Sequence, residues 1–181
     1  MTICCDSILK APPAGGHIVF PFTEDARAVA AIADYARYGL ESGEAAVLIL
    51  TQEHRTGVES ALSAAGLDLS ELARQGRFLC FDARETLNRF MVDGMPDRER
   101  FRAVVQPLIG RARGPGRAVR AFGEMVGLLF LDNLPAADRL EQYWNELLAE
   151  EGICLLCAYP LEGQDETLAE ELCAAHSHYM V

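Results

Sequence analysis

Short apolar runs alternate with longer amphipathic stretches along the chain, and this alternation constrains the fold more than any other feature of the sequence. The runs predicted to be buried strands are residues 17–20, 45–50, 77–81, the first part of 117–130, and 153–158. Because strands separated by helices of about ten or more residues pair in parallel, the sequence predicts a three-layer α/β/α fold with a mostly parallel sheet of five or more strands. A last helix is predicted over residues 165–178.

The length of 181 residues predicts one domain, with a flexible lead-in over residues 1–16 and a single folded unit over residues 17–181. No apolar run approaches the roughly 18–20 residues that span a bilayer, and no export signal precedes the first strand. The chain is therefore predicted to be cytoplasmic, without membrane contact. In that compartment its six cysteines are expected to be reduced thiols.

The charge of the chain argues against binding to phosphate groups. Acidic residues outnumber basic ones by 27 to 16, and the formal net charge of −11 predicts no direct nucleic-acid partner. The turn after the first strand, residues 20–25, reads Phe-Pro-Phe-Thr-Glu-Asp and contains neither glycine nor lysine. A phosphate at this helix start would meet two carboxylates. The sequence thus predicts a fold with no working phosphate-binding loop (P-loop) and no cofactor.

The stretch 117–130 carries the charged residues that a binding site would use. It is predicted to form a strand, a tight turn at Gly123 and the start of a helix. Ligands of open α/β sheets bind where strands end and helices begin, which places Glu124 beside such a site. Arg120 lies inside the strand, where a charge needs a partner, and Glu124 or Asp132 is the predicted one. A structural ion pair and a pair that contacts a ligand are equally open alternatives.

Two cysteine spacings are similar to metal or redox motifs, but neither predicts such a site. Cys154 and Cys157 are three residues apart in a predicted strand and therefore face opposite sides of the sheet. Cys173 and His176 share one face of the predicted last helix, yet a single pair is weak support for a metal site. We predict no metal site, and we expect Cys157, near the end of its strand, to line a pocket.

The other histidines are predicted to have structural or solvent-exposed positions. His17 begins the first strand and is predicted to lie at the sheet edge opposite the crevice, as a packing residue. His54 and His178 are predicted to be solvated. The sequence lacks a Gly-x-Ser-x-Gly nucleophile motif. Catalysis with Glu124 as acid or base and Cys157 as nucleophile is therefore kept only as an alternative.

Six groups of segments together resemble one protein family over nearly the whole chain. They are His-Ile-Val-Phe at 17–20, Tyr-Gly-Leu at 38–40 with Ser-Gly-Glu at 42–44, Phe-Met-Val-Asp-Gly-Met-Pro-Asp at 90–97, Arg-Ala-Phe-Gly-Glu-Met at 120–125, Leu-Glu-Gln-Tyr-Trp-Asn at 140–145 and Leu-Cys-Ala-Tyr-Pro at 156–160. These segments resemble the MEDS domain, the methanogen/methylotroph DcmR sensory domain. The Gly-Glu-Met and Cys-Ala-Tyr-Pro pieces are the most specific.

The resemblance implies a RecA-like, KaiC-related fold without a working P-loop. It further implies a sensory role, proposed for small hydrocarbon derivatives, in transcriptional or kinase signalling. The family-like residues that would surround the site are Arg120, Glu124, Met125, Cys157, Tyr159 and His176. MEDS domains usually precede a helix-turn-helix or kinase module, and this chain ends at Val181 without one. We therefore expect a fragment of a longer regulator or a domain that contacts a separate regulatory partner.

The leading hypothesis is a non-catalytic sensory domain that binds a small molecule at the C-terminal ends of the central strands. In this hypothesis Arg120 and Glu124 orient a polar group of the ligand. Apolar contacts come from Phe122, Met125, Cys157 and Tyr159. The alternative is a protein-interaction or homodimerisation module without a ligand, built on a degenerate NTPase fold.

Overall fold

The computed structural model describes residues 2–3, 5–130, 132–160 and 176–180. The strands in these ranges are β1 (Thr2–Ile3), β2 (His17–Phe22), β3 (Ala45–Leu50), β4 (Phe78–Asp82), β5 (Met91–Val92), β6 (Met95–Pro96), β7 (Val119–Gly123), β8 (Cys154–Pro160) and β9 (His178–Met180). The helices are α1 (Cys5–Lys10), α2 (Asp25–Glu41), α3 (Gln52–Ala64), α4 (Leu69–Arg74), α5 (Ala83–Asn88), α6 (Arg98–Arg113), α7 (Met125–Phe130) and α8 (Leu134–Glu151). No helix in the described ranges is long and apolar enough to cross a membrane.

Seven of these strands form one sheet in the order β1-β9-β2-β8-β7-β3-β4, and every neighbouring pair is parallel. The strands β5 and β6 form a separate antiparallel pair. The predicted α/β fold with a mostly parallel sheet of five or more strands is therefore confirmed. The end of the chain differs from the prediction, because His178 begins strand β9 instead of ending a helix. Residues 165–175 of that predicted helix lie outside the described residues.

Successive side chains of each strand point to opposite faces of the sheet, so the core is divided into two layers, one on each face. All six residues of β3 are buried: Ala46 and Leu48 pack in the layer formed with α2, while Val47 and Ile49 pack in the opposite layer. The first layer also contains apolar residues of α1, α3 and α4, and the second contains those of α5, α6, α7 and α8. A strand that is apolar throughout fits this arrangement, because both of its faces are covered by helices.

The chain leaves the neighbouring strands β3 and β7 toward opposite faces of the sheet. The two strands pair with Ile49 opposite Gly123. After β3, helix α3 packs in the α2 layer through Val58 and Leu62, whereas α7 packs in the opposite layer through Met125. Adjacent strands whose following helices diverge leave a crevice beyond their C-terminal ends, and this is where open α/β sheets bind ligands.

The N-terminal segment differs from the flexible lead-in that the sequence predicts. Helix α1 packs against α2, and its residues Ile8 and Leu9 are buried. The guanidinium group of Arg120 on β7 donates to the carbonyl oxygens of Leu9 and Lys10 at 2.6 and 3.1 Å. Gly39 in α2 permits this approach, because a Cβ atom there would lie 2.6 Å from Arg120 Cδ. Helix α1 is therefore part of the folded unit.

Candidate functional site

A cavity of ≈ 240 Å³ lies at the crevice beyond the C-terminal ends of the central strands. Its volume is far above the roughly 10–15 Å³ that a cavity needs to hold one water molecule, so it suits a small molecule. The polar residues that line it are Thr51, His54, Arg84, Glu124 and Asp132. Of the predicted site residues, all of which the structure describes, Glu124 is the one that lines this cavity.

Glu124 links the ends of strands β3 and β7. It directly follows β7, and its backbone N–H donates to the carbonyl oxygen of Ile49 at 3.1 Å. Its carboxylate accepts a hydrogen bond from the backbone N–H of Thr51 and contacts Nδ1 of His54. Glu124 is only 5% exposed, so these neighbours, rather than water, compensate its charge. One carboxylate thus joins the β3–α3 junction to the β7–α7 junction.

His54 lies between two carboxylates. Its Nδ1 atom contacts Glu124, and its Nε2 atom is 3.5 Å from Oδ1 of Asp25, at the start of α2. The hydrogen bond with Glu124 is the main reason that the pKa of His54 is raised above its ordinary value of 6.5. The prediction that His54 is solvated is wrong, because the residue is buried and its ring packs edge-on against Phe22. The imidazole can hold a proton beside the cavity.

Replacing His54 with glutamine is expected to remove a pH-dependent part of the stability. A raised pKa in the folded state means that this stabilisation is complete below the unfolded pKa of about 6.5 and is lost as the pH rises through the folded pKa. The free energy of unfolding of the wild type minus that of His54→Gln should therefore decrease from about pH 6 upward, as measured in urea titrations. A difference that stays constant with pH would contradict the role of Glu124 and Asp25 as its charge partners.

Part of the cavity lining is apolar. It is formed by Phe22 at the end of β2, Ala158 and Pro160 at the end of β8, and Gly127 and Leu128 in α7. A Cβ atom at Gly127 would lie 2.9 Å from the carbonyl oxygen of Ala158, so glycine allows α7 to lie against the end of β8. The cavity therefore offers both polar and apolar contacts to a ligand.

Arg120 does not contribute to this cavity, in contrast to the prediction. It is the second residue of β7, whereas Glu124 follows the last one, so they lie about 13 Å apart along the strand direction. The guanidinium pairs with the carboxylate of Glu44, with Nε 2.5 Å from Oε2, and donates to the carbonyl oxygen of Tyr35 at 3.2 Å. The predicted pairing with Glu124 or Asp132 is therefore wrong, because Arg120 faces α2 and α1.

Phe122 and Met125 belong to the core rather than to the cavity wall. Phe122 is fully buried among residues of the α2 layer, and Met125 is fully buried in the layer of α6 and α8. Both side chains are packed among core residues, and neither lines the cavity. The predicted apolar contacts are supplied instead by Phe22, Leu128 and Pro160.

The remaining predicted residues meet between the sheet and α8. We use the term buried histidine cluster for His17, Glu141, Cys157 and His176, whose potential ligand atoms lie within 4.8 Å of one another. The pKa of the Cys157 thiol is raised well above its usual range, mainly because the thiol is buried. The hydroxyl of Tyr159 donates a hydrogen bond to Oε1 of Glu141. Cys157, Tyr159 and His176 are thus brought together, and none of them lines the cavity beside Glu124.

His17 begins strand β2 and therefore lies at the N-terminal edge of the sheet, opposite the crevice, where the sequence places it. Strand β9 pairs with β2 on one side and β8 pairs with it on the other, so β2 is an internal strand. His17 is consequently covered and lies inside the buried histidine cluster. Cys173, the predicted partner of His176, lies outside the described residues.

Thr51, His54 and Glu141 are the residues that sequence reasoning missed. The rule that identifies Glu124, a polar residue just beyond the end of a buried strand, applies equally to Thr51 and His54 after β3. Glu141 follows Leu140 in the apolar face of α8, and an acidic residue at the margin of such a face indicates a polar partner inside the core.

A parallel sheet covered by helices on both faces, with a crevice at its C-terminal edge, defines the α/β class that includes the KaiC-like, RecA-fold proteins. The crystal structure of the KaiC-like protein PH0186 from the hyperthermophilic archaeon Pyrococcus horikoshii OT3 is similar to this chain, with a TM-score of 0.58. The match covers 88% of this chain and 68% of that chain, at 14% sequence identity. The predicted RecA/KaiC-like fold is confirmed by this likeness.

The sequence profile of one family, described as MEDS, MEthanogen/methylotroph, DcmR Sensory domain, matches residues 16–177. The chain therefore belongs to the MEDS family, as the resemblance of its segments predicts, and its role is a sensory or signalling one. No curated protein matches the chain.

Proposed function

We propose that the protein senses a small hydrocarbon derivative that carries one polar group and binds in the cavity beside Glu124. The observation that carries this proposal is the buried Glu124–His54 pair in the lining of a cavity at the point where α3 and α7 diverge. A buried ion pair costs free energy, so its presence indicates a functional or structural role. Crevices at the C-terminal ends of strands are the usual ligand sites of open α/β sheets.

The lining of the cavity favours a particular ligand chemistry. A carboxylate offers about four acceptor positions, and Thr51 and His54 occupy two of those on Glu124. A hydroxyl or amine group of the ligand can donate to a remaining position, while its hydrocarbon part contacts Phe22 and Leu128. The volume of ≈ 240 Å³ limits the ligand to a small molecule.

Phosphate ligands are disfavoured at the helix start next to this cavity. The turn between β2 and α2 places Glu24 at the helix N-cap and Asp25, which is 82% exposed, in the first turn. An anion at this helix start would be repelled by these carboxylates. The turn thus follows the first long strand, where a P-loop would lie, but it lacks the glycines and the lysine that bind phosphate. This supports binding of a small molecule rather than nucleotide hydrolysis.

The proposal includes no catalytic turnover. Cys157 is the candidate nucleophile, but its thiol is 1% exposed and its pKa is raised, so little of the reactive thiolate is present. Glu124 is engaged with Thr51 and His54. Neither residue is thus arranged for a reaction.

The signal is proposed to pass to a regulatory partner, either a transcription regulator or a kinase. Thr51 and His54 lie at the start of α3, and Gly127 and Leu128 lie in α7, in the opposite layer. A ligand that contacts both groups stabilises one relative arrangement of the two layers. The surface that changes with this arrangement is the one that a partner would recognise.

The proposal is tested with a thermal-shift screen of short-chain alcohols, aldehydes, amines and halides. A compound present at about 100 times its dissociation constant should stabilise the wild type by about 2.7 kcal/mol. Glu124→Gln should weaken its binding by about tenfold or more, because a hydrogen bond to a charged acceptor is lost. Leu128→Trp should fill the cavity and abolish binding.

The matched control is Glu146→Gln, which removes the charge of a surface glutamate that pairs with Arg98. This variant should respond to the compound as the wild type does. If the compound stabilised Glu124→Gln, Leu128→Trp and the control equally, the assignment of the ligand site to this cavity would be wrong.

A further inference from the structure

The buried histidine cluster has the dimensions of a metal site. His17 Nε2 lies 3.3 Å from Cys157 Sγ and 3.3 Å from Glu141 Oε2, and His176 Nε2 lies 3.4 Å from Glu141 Oε1. In a tetrahedral site with bonds of about 2.0–2.3 Å, the ligand atoms lie about 3.3–3.7 Å apart. Since all four donor atoms are within 4.8 Å of one another, small side-chain shifts suffice to complete this geometry.

Neighbouring residues orient the donor atoms toward the centre of the cluster. His17 Nδ1 lies 2.8 Å from Oδ1 of Asn145, so the tautomer that carries its proton on Nδ1 can donate to this amide oxygen and keeps the lone pair of Nε2 for a metal ion. Tyr159 donates to Oε1 of Glu141, and its ring packs edge-on against that of His176 with centroids 5.8 Å apart. Outer partners of this kind fix the ligands of known metal sites.

Charge and donor type favour a particular class of ion. With Cys157 as a thiolate and Glu141 as a carboxylate, the four ligands carry two negative charges, which a divalent cation neutralises. The side chains of His176 and Glu141 are 1% and 7% exposed, so water does little to compensate the carboxylate. Sulfur and imidazole donors suit zinc, whereas magnesium and calcium prefer oxygen donors.

We propose that His17, Glu141, Cys157 and His176 bind one divalent transition-metal ion of the zinc class in a closed, four-coordinate site. On binding, the S–H bond of Cys157 breaks, its proton goes to solvent and a sulfur–metal bond forms, without electron transfer. The ion joins β2, α8, β8 and the segment that precedes β9. None of these four residues lines the cavity beside Glu124, so the metal proposal does not depend on the proposed sensing function.

Cobalt(II) titration of the chelator-treated, reduced protein tests the proposal. We expect about one equivalent to bind, with a sulfur-to-cobalt charge-transfer band in the near ultraviolet and the intense visible bands of tetrahedral cobalt. Zinc should displace cobalt and remove these bands, and metal analysis should find about one zinc ion per chain. A folded wild-type protein that shows no such bands would overturn the proposal.

Variants assign the bands to this cluster. Cys157→Ser should lose the charge-transfer band, whereas Cys154→Ser, on the same strand but with its Sγ near the carbonyl oxygen of Gly16, should keep it. Asn145→Ala, which removes no ligand, should weaken cobalt binding by about 10–100-fold by releasing the ring of His17. The proposal fails if Cys157→Ser retains the band. It also fails if Cys157→Ser does not fold and Asn145→Ala binds cobalt as the wild type does.

Discussion

Replacing Arg120 with alanine is expected to lower the free energy of unfolding by about 3–5 kcal/mol, the usual cost of removing one partner from a buried ion pair. The guanidinium group pairs with Glu44 and donates to the carbonyl oxygens of Leu9, Lys10 and Tyr35. The variant leaves these acceptors without their donor and opens a space between β7, α1 and α2. The effect is therefore expected on stability and not on binding in the cavity.

Urea denaturation measures this loss, with Arg98→Ala as the matched control. Arg98 pairs with Glu146 on the surface, and such pairs contribute about 0–1 kcal/mol. At a temperature where Arg120→Ala is folded, a cavity ligand should stabilise it as much as the wild type. If the two arginine variants lost equal stability, or if Arg120→Ala alone lost the ligand response, the structural role assigned to Arg120 would be wrong.

Replacing Glu124 with alanine is expected to lower the free energy of unfolding by about 3 kcal/mol and to abolish ligand binding. The change leaves the backbone N–H of Thr51 and the imidazole of His54 without their acceptor. It also removes the polar group that the proposed ligand contacts. Among the variants of the cavity wall, this one should have the largest combined effect on stability and binding.

Glu124→Gln separates the two effects, because an amide oxygen still accepts from Thr51 but the negative charge is lost. It should keep most of the stability, and it should reduce the pH dependence that His54 confers through its raised pKa, of which Glu124 is the main cause and Asp25 a smaller one. Urea titrations at several pH values measure both quantities. If the stability of Glu124→Gln varied with pH as that of the wild type does, the His54–Glu124 interaction would not be the source of the effect.

The parts of the fold that the sequence predicts are those with a local signal. Strand β3 is a continuous apolar run, which indicates burial on both faces whatever its neighbours are. Glu124 is predicted at the ligand crevice because that position depends only on its place directly after a strand. These features follow from residues that are close together in the chain.

The parts that the sequence does not predict depend on contacts between distant segments. Arg120 finds its partner in Glu44, 76 positions away, because its side chain faces the layer that α1 and α2 cover. The cluster that contains His17 and Cys157 forms because β9 adds beside β2 at the end of a stretch whose spacing predicts a helix. Strand order and the choice of covering helix carry no local sequence signal, so neither arrangement follows from periodicity.

The most direct test of the sensing proposal is a ¹⁵N–¹H NMR titration of the protein with a compound that stabilises it in the thermal-shift screen. The account predicts saturable shift changes concentrated at the backbone amides of Thr51, Glu124 and Leu128, which surround the cavity. It also predicts that these changes are absent in Leu128→Trp. Shift changes centred on Arg120 and Glu44, with the amides around Glu124 unaffected, would contradict the account.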